Sequence, residues 1–284
     1  MNDRFPFPRP VRTALTSATL LVFLTISSFT ARTDIPAPDD GNAPPSHVIS
    51  DGEELVYNVR YGFIDLGQVR ITTGQTSREQ GKTVYRGDAV IQSYKGVPFV
   101  DLHAVYASNF DSLGFSRHFL GKSQEDDAWS FSEYFFQYEQ GRVVMQIGSR
   151  DNVVERRDTL PLETGYHDGL SLFFYAREKL FSGKKVSIPT LVKEQKGKTL
   201  IDFKVERSVL ESDFIEYPVD VIGFDGTAGF VGIFGLTGDF EGWFSNDEAR
   251  VPVKANMKVI IGSVTIELVS WKRRDWSPPR ATGE

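Results

Sequence analysis

The strongest constraint on the fold is a two-residue alternation of side chains that recurs from Glu53 onwards. In the first such segment the apolar side chains occupy every second position, at Leu55, Tyr57, Val59 and Tyr61. Successive strand side chains point to opposite faces, so this spacing predicts a strand with one apolar face. Similar short segments follow, separated by Gly, Asn and Asp, which favour turns. We therefore predict an all-β fold with one short helix: an antiparallel curved sheet or incomplete β-barrel.

The one helix is predicted from a change in spacing. Between His167 and Phe181, apolar side chains recur three and four residues apart, and the stem of Arg177 falls on the same stripe. Asp168 is suited to cap the N-terminus of this helix, and Gly183 to end it. We expect the helix to cover one side of the sheet. Its predicted buried contacts include Leu170, Phe173, Phe174 and Tyr175.

Residues 1–31 have the pattern of a secretory signal peptide. Arg4, Arg9 and Arg12 precede an uncharged stretch, Ala14 to Phe29, whose apolar centre is too short for an ordinary transmembrane helix. We predict a periplasmic or otherwise exported protein, cleaved between about residues 28 and 33, with no transmembrane span after signal removal. The alternative is an uncleaved N-terminal anchor.

Composition divides the rest of the chain into three parts. Residues 32–50 contain four prolines and predict a disordered, solvated linker. Residues 51–276 hold the alternating segments and predict a single β-rich domain, because one β domain can reach about 200–250 residues. Residues 277–284 predict a flexible tail. The chain is 40% hydrophobic, which suffices for a buried core.

Charge and cysteine content narrow the classes of partner and chemistry. The net charge is −6, and residues 1–31 contribute three Arg and one Asp, so the mature chain carries −8. An acidic surface repels phosphate backbones, so we expect no nucleic-acid partner. The absence of cysteine excludes disulfides, thiolate catalysis and cysteine-bound metal. We predict no cofactor and no metal site, since the sequence also lacks the spacing of known histidine or acidic metal motifs.

The segment Gly223–Gly242 has an unusual glycine spacing, with glycine at every third position from Gly223 to Gly238 and apolar residues between. Glycine every third residue alternates between strand faces and weakens both. The pattern predicts either a mobile apolar loop or strongly bent strand pair that controls access to a cavity, or close packing at a barrel corner, where glycine permits bulges. The candidate ligand-binding residues in and beside it are Phe224, Phe230, Phe234, Phe240 and Trp243.

Polar clusters elsewhere are better explained by structure than by catalysis. Trp243–Val253 has the composition of a hairpin turn, in which Arg250 could pair with Asp247. The acidic run Glu125–Asp127 predicts a solvated loop, because neighbouring carboxylates on a strand would face opposite ways. Val259–Ile266 predicts a tight hairpin with Gly262 first in a two-residue turn. We identify no catalytic residue.

Three stretches form longer motifs. They are Gly52-Glu53-Glu54-Leu55-x-Tyr57 with Tyr61-Gly62-x-Ile64-x-x-Gly67, the helix His167–Arg177, and Gly242–Val253 followed by Gly262-Ser263-Val264-x-x-x-Leu268. Together they resemble the bacterial domain-of-unknown-function family 3108, over most of the mature chain. The resemblance implies an exported, β-rich, envelope-associated protein. It implies no known catalytic residues.

Three functions are compatible with these observations. The first is an envelope carrier or chaperone that binds an apolar ligand, a lipid or an unfolded outer-membrane component in a β-barrel-like cavity. The second is a structural or interaction module that binds envelope proteins through a sheet edge. The third is a hydrolase that uses scattered carboxylates. An open cavity distinguishes the first from the second, and a converging carboxylate pair would support the third.

Overall fold

The computed structural model describes residues 48–79, 81–97, 101–125, 128–149, 153–229, 238–259 and 262–282. These residues form fifteen β-strands and one α-helix, α1 (Gly169–Lys179). The strands are β1 Glu54–Tyr61, β2 Ile64–Thr73, β3 Ser77–Glu79, β4 Lys82–Ser93, β5 Leu102–Asp111, β6 Ser116–Glu125, β7 Ala128–Gln137, β8 Arg142–Ser149, β9 Val153–Pro161, β10 Lys185–Val192, β11 Gln195–Leu210, β12 Val219–Ala228, β13 Gly238–Ser245, β14 Pro252–Lys258 and β15 Ser263–Lys272.

All described strands belong to one antiparallel sheet. Its order is β10–β11–β12–β13–β14–β15–β1–β2–β4–β5–β6–β7–β8–β9, and the short β3 pairs with β4. Most neighbours are consecutive in the chain, as expected for strands joined by short turns. The sheet curves around its core but is not closed, because the outermost strands β9 and β10 do not pair with each other. The predicted curved antiparallel sheet with one helix is confirmed.

Connections between antiparallel strands fall at two opposite ends of the sheet. We call one of them the open end. It holds the β1–β2, β10–β11, β12–β13 and β14–β15 connections, which follow the terminal pairs Tyr61–Ile64, Val192–Gln195, Ala228–Gly238 and Lys258–Ser263. The opposite end holds the β5–β6 and β13–β14 connections. Because α1 contacts residues there, it is called the helix end.

Helix α1 begins and ends as its sequence predicts. The Asp168 carboxylate accepts the backbone N–H groups of Leu170 and Ser171, and thus caps two of the free amides of the first turn. A 3₁₀ turn at residues 180–182 follows, and Gly183 ends it with φ +60°, a left-handed conformation that suits glycine. Of the predicted contacts, Leu170 and Phe174 are buried, and Phe173 and Tyr175 are half-buried.

The segment between β9 and α1 links strands that do not neighbour each other. The Tyr166 carbonyl accepts the amide of Ser116 in β6, and His167 forms a parallel bridge with Thr190 in β10. Leu191 of β10 packs in the same buried cluster as Tyr134 of β7. This segment and the inward-facing residues of β10 therefore cover part of the gap that the unclosed sheet leaves.

Two local predictions differ from the structure. Lys258 pairs with Ser263, so Gly262, with φ +82°, lies at the end of a longer connection and does not start a two-residue turn. The expected tail at 277–284 is held by contacts where it is described. The Ala281 amide donates to the Pro218 carbonyl, and the Arg280 guanidinium lies 3.9 Å from the Tyr217 ring centroid.

Candidate functional site

The concave face of the sheet encloses a cavity of about 620 Å³, a volume typical of small-molecule sites, which span roughly 300–1,000 Å³. Residues of β1, β2, β4–β7 and β10–β15 line it, and α1 covers it at the helix end. Side chains two positions apart, such as Val69 and Ile71 on β2 or Ala89 and Ile91 on β4, point into it. The alternation detected in the sequence thus builds an apolar interior with unfilled space.

The predicted ligand-binding residues divide between two faces of the sheet. Phe224 and Phe240 line the cavity, together with Phe244. The ring centroid of Phe224 is 6.0 Å from that of Phe240 and 4.7 Å from that of Phe244. Trp243 does not line the cavity and packs instead against the buried cluster of Val219, Val221 and Val253. It has the opposite parity to Phe240 and Phe244 on β13, which places it on the other face. Phe230 and Phe234 lie outside the described residues.

Glycines of this segment make room for the cavity phenylalanines. A Cβ at Gly226 would lie 2.4 Å from the Phe240 ring, and a Cβ at Gly242 would lie 2.6 Å from the Phe224 ring. Each ring therefore crosses the neighbouring strand where no side chain opposes it. In the described part of Gly223–Gly242, the structure is a strand pair, β12 with β13, with glycine-dependent close packing. The centre of the segment, residues 230–237, lies outside the described residues, so control of access to the cavity by this segment stays a prediction.

A small polar patch interrupts the apolar wall toward the open end. Ser123 of β6 and Ser130 and Ser132 of β7 line the cavity there, and the Ser123 and Ser130 hydroxyls are 3.1 Å apart. The carboxylate of Glu194, on the β10–β11 turn, accepts hydrogen bonds from Ser132 (2.6 Å) and from Tyr134 (2.9 Å). Burial, together with this carboxylate, raises the pKa of Tyr134, so its hydroxyl remains a donor. The cavity is therefore apolar in depth, and polar side chains, which also include Asp239 and Lys258, line it toward the open end.

A buried ion pair fixes α1 to the rest of the molecule. Arg177 is fully buried and donates to both carboxylate oxygens of Glu53, at 2.6 and 3.1 Å, and to the Ala249 carbonyl at 2.9 Å. Arg273 also pairs with Glu53. Burial alone would raise the pKa of Glu53, but the two guanidinium groups outweigh it and lower the pKa below its usual value. Glu53 is therefore ionised at neutral pH.

A second buried polar group anchors the start of the helix. Besides capping α1, the Asp168 carboxylate accepts hydrogen bonds from the hydroxyls of Ser108 (2.6 Å) and Ser116 (2.7 Å) at the helix end of the sheet. Burial raises its pKa, although these four donors act in the opposite direction. The helix that covers this end of the cavity is therefore held near both termini by buried polar contacts.

The other candidate polar clusters are structural where they are described. Asp247 accepts the backbone amides of Ala249 and Arg250, as expected for a turn. The side chain of Arg250 does not pair with Asp247, but donates to the carbonyls of Arg177 and Glu178 at the end of α1. Glu133 bonds to His118 at 2.8 Å. Asp126 and Asp127 lie outside the described residues.

His167 gives the fold a testable pH dependence. Burial lowers the pKa of His167 from 6.5 to about 3, against a bond to the Gly114 carbonyl that raises it. Between these two pH values the unfolded chain binds a proton that the folded chain excludes, so stability falls as pH falls through this window. We expect the titration of His167 to lower the free energy of unfolding by about 2 kcal/mol between pH 7.5 and pH 5.

Chemical denaturation of wild type and His167→Gln at both pH values measures this effect. The Gln amide can still donate to Gly114 but does not titrate in this range. The variant should lose about 2 kcal/mol less stability than wild type between pH 7.5 and 5. Equal losses in the two proteins would show that His167 is not buried in its neutral form.

The family comparison agrees with this architecture. The family described as "Protein of unknown function (DUF3108)" matches residues 56–269, which is most of the chain. The chain belongs to this family. The DUF3108 region contains every strand from β2 to β14 and all of α1. No curated protein matches the sequence.

One solved structure supports the fold. The β-barrel-like protein of domain of unknown function DUF1849 from Brucella abortus has a TM-score of 0.54 at 13% identity, over 80% of this DUF3108 chain and 100% of that chain. A proposed lipoprotein from Parabacteroides distasonis (8% identity, 79% of this chain and 96% of that one) has a TM-score of only 0.33. A proposed exported protein from Bacteroides fragilis has a TM-score of 0.28 at 6% identity, over 79% of this chain and 97% of that one. Within the described residues, no helix has the length and apolar character needed to span a bilayer.

Proposed function

We propose that this DUF3108 protein is an exported carrier that holds an apolar or amphipathic molecule, such as a lipid, inside its curved sheet. The observation that carries the proposal is the cavity of about 620 Å³ between the sheet and α1. A sheet interior is normally packed to the density of an organic crystal, so unfilled space of this size is costly unless a ligand occupies it. The apolar walls favour a hydrocarbon ligand.

The position of the polar patch orients the proposed ligand. Hydrocarbon would gain most by lying against the apolar side chains beneath α1, such as Leu170 and Phe173. A polar end group would lie toward the open end, where Ser123, Ser130 and Ser132 can exchange hydrogen bonds with it. An amphiphile with one chain or a few chains and a small polar end matches both parts of the cavity.

Filling part of the cavity should weaken binding without unfolding the protein. Ala255 of β14 lines the cavity opposite Gly242, so Ala255→Phe would place a ring in the ligand space. We expect at least about a tenfold loss of affinity for a fluorescent apolar probe, since a probe excluded from part of the cavity buries less area. Fluorescence titration measures the affinity directly.

A matched substitution outside the cavity serves as the control. Ala107 lies on β5 next to the cavity-lining Tyr106 and therefore has the opposite parity. Ala107→Phe should bind the probe like wild type. If neither wild type nor Ala107→Phe binds an apolar probe, the carrier proposal fails and an interaction module that uses the open edges of β9 and β10 is favoured. Equal binding by Ala255→Phe would place the probe elsewhere.

The exported location is proposed from residues 1–31 alone. Their three arginines followed by a short apolar stretch are typical of a cleaved signal peptide. We expect the mature chain to begin between about residues 28 and 33 and to be found outside the cytoplasm. N-terminal sequencing of the fractionated protein tests this, and an intact Met1 in the cytoplasmic fraction would contradict it.

A further inference from the structure

The tip of the β1–β2 hairpin exposes a large aromatic side chain to solvent. Phe63 is 94% exposed, and Tyr61 and Ile64 on either side of it are also exposed. A phenylalanine that is this exposed removes almost no apolar area from water and so contributes little to the stability of the fold. Tyr94, at the end of β4, adds a further exposed ring nearby, since its amide donates to the Leu66 carbonyl of β2. These four side chains are called the aromatic tip.

Charges next to the aromatic tip are largely compensated. The Arg60 guanidinium pairs with Asp65 at 3.1 Å and with Asp213 at 2.7 Å. Asp65 also accepts a hydrogen bond from Asn58 at 2.6 Å. Because these charges already have partners within the protein, bringing the hairpin against another surface leaves no isolated carboxylate or guanidinium in this group. Pairing therefore makes it less costly to bring the tip against a less polar medium than it would be with the same charges unpaired.

The aromatic tip lies at the open end, next to the part of the cavity wall that reaches this end. Tyr61 pairs with Val264 of β15, and Val264 pairs with Met257 of β14, which lines the cavity. The polar patch of Ser123, Ser130 and Ser132 lies toward the same end, whereas α1 covers the opposite end of the cavity. A ligand that leaves the cavity past the serines therefore emerges on the side of the molecule that carries the exposed rings.

The shape of the tip favours a bilayer over a folded protein partner. A specific protein interface usually buries about 800 Å² on each side, with a broad complementary surface. The aromatic tip offers only four side chains, three on the β1–β2 hairpin and Tyr94 beside it. Aromatic rings flanked by polar groups are enriched at membrane–water interfaces, where the ring enters the apolar boundary and polar groups remain hydrated. The net charge of the mature chain argues against electrostatic attraction to anionic headgroups.

We propose that the aromatic tip, with Phe63 at its apex, docks the open end onto the surface of a lipid bilayer, so that an amphiphile can pass between bilayer and cavity. This inference rests on the proposed function and names the partner from which the ligand comes. Binding depends on burial of apolar rings, so it should occur on zwitterionic vesicles and be insensitive to salt.

Cosedimentation of the mature protein with phosphatidylcholine vesicles tests the docking site. Phe63→Ser should weaken vesicle binding at least about tenfold, because it removes the ring expected to enter the bilayer. The matched control is Val209→Ser. Val209 is 65% exposed and lies near the β11 terminus at the helix end. The control variant should bind vesicles like wild type.

Probe titration in solution separates the two claims. Both variants should bind the soluble apolar probe with wild-type affinity, since neither residue lines the cavity. If wild type binds the probe but does not bind vesicles, or if Phe63→Ser binds vesicles like wild type, the docking proposal is wrong while the carrier proposal stands. A wild type that binds vesicles but not the probe would contradict the carrier proposal instead.

Discussion

Replacing Arg177 with Met is expected to lower the free energy of unfolding by about 3–5 kcal/mol. Arg177 and Glu53 are both buried, and the substitution leaves the Glu53 carboxylate with Arg273 as its remaining charged partner. It also removes the guanidinium group that donates a hydrogen bond to the Ala249 carbonyl. Leaving the buried Glu53 carboxylate with one guanidinium instead of two, and the Ala249 carbonyl without this donor, costs more than losing an exposed ion pair. Denaturant unfolding followed by circular dichroism measures the change.

Two variants make this prediction specific. Arg86→Met breaks an exposed pair with Asp88, and it should cost less than about 1 kcal/mol. The double variant Arg177→Met with Glu53→Gln removes the buried charge as well as its partner, and should recover part of the loss. If Arg177→Met costs no more than Arg86→Met, then α1 is not held by a buried ion pair.

Phe174→Ala should destabilise the protein by about 3–5 kcal/mol, which is typical of a large buried ring truncated to alanine. The ring is 1% exposed and stacks on Phe110 with a centroid distance of 5.1 Å. It also lies directly over Gly87 of β4, where a Cβ would be 2.4 Å from the ring. Because Gly87 has no side chain that could fill the vacated space, a cavity would remain beside it.

The control for Phe174 is the equally large but exposed Phe63. Phe63→Ala should change the free energy of unfolding by no more than about 0.5 kcal/mol, as for most surface substitutions. Thermal or denaturant unfolding of the two variants gives the comparison. A loss below about 1 kcal/mol for Phe174→Ala would mean that α1 does not pack on β4 and β5 through this face.

Features set by neighbouring residues could be predicted from the sequence. The strand alternation and the turn residues gave the antiparallel sheet, because both depend on positions only a few residues apart. The cap at Asp168 and the stop at Gly183 gave the limits of α1 for the same reason. Parity along β13 also separates Phe240 from Trp243, so the position of Trp243 on the other face could have been inferred.

Features set by distant pairs could not be predicted. Glu53 and Arg177 are 124 residues apart in the chain, and no local pattern connects them. The packing of Phe240 over Gly226 depends on the exact register of β12 with β13. The contacts of residues 278–281 depend on backbone groups around Pro218, which sequence composition does not reveal. The volume of the cavity is the difference between the space that the sheet encloses and the volume of the side chains inside it. The alternation of apolar residues in the sequence does not determine that difference.

The most direct test of the central claim is a chain-length series. Saturated alkyl amphiphiles with one constant polar group would displace a fluorescent apolar probe from the mature protein in competition titrations. Each added methylene should tighten binding about fourfold until the chain fills the cavity, after which affinity should stop rising. Ala255→Phe should move this limit to shorter chains. Displacement that shows no dependence on chain length, or that never saturates, would contradict a cavity that holds an apolar ligand.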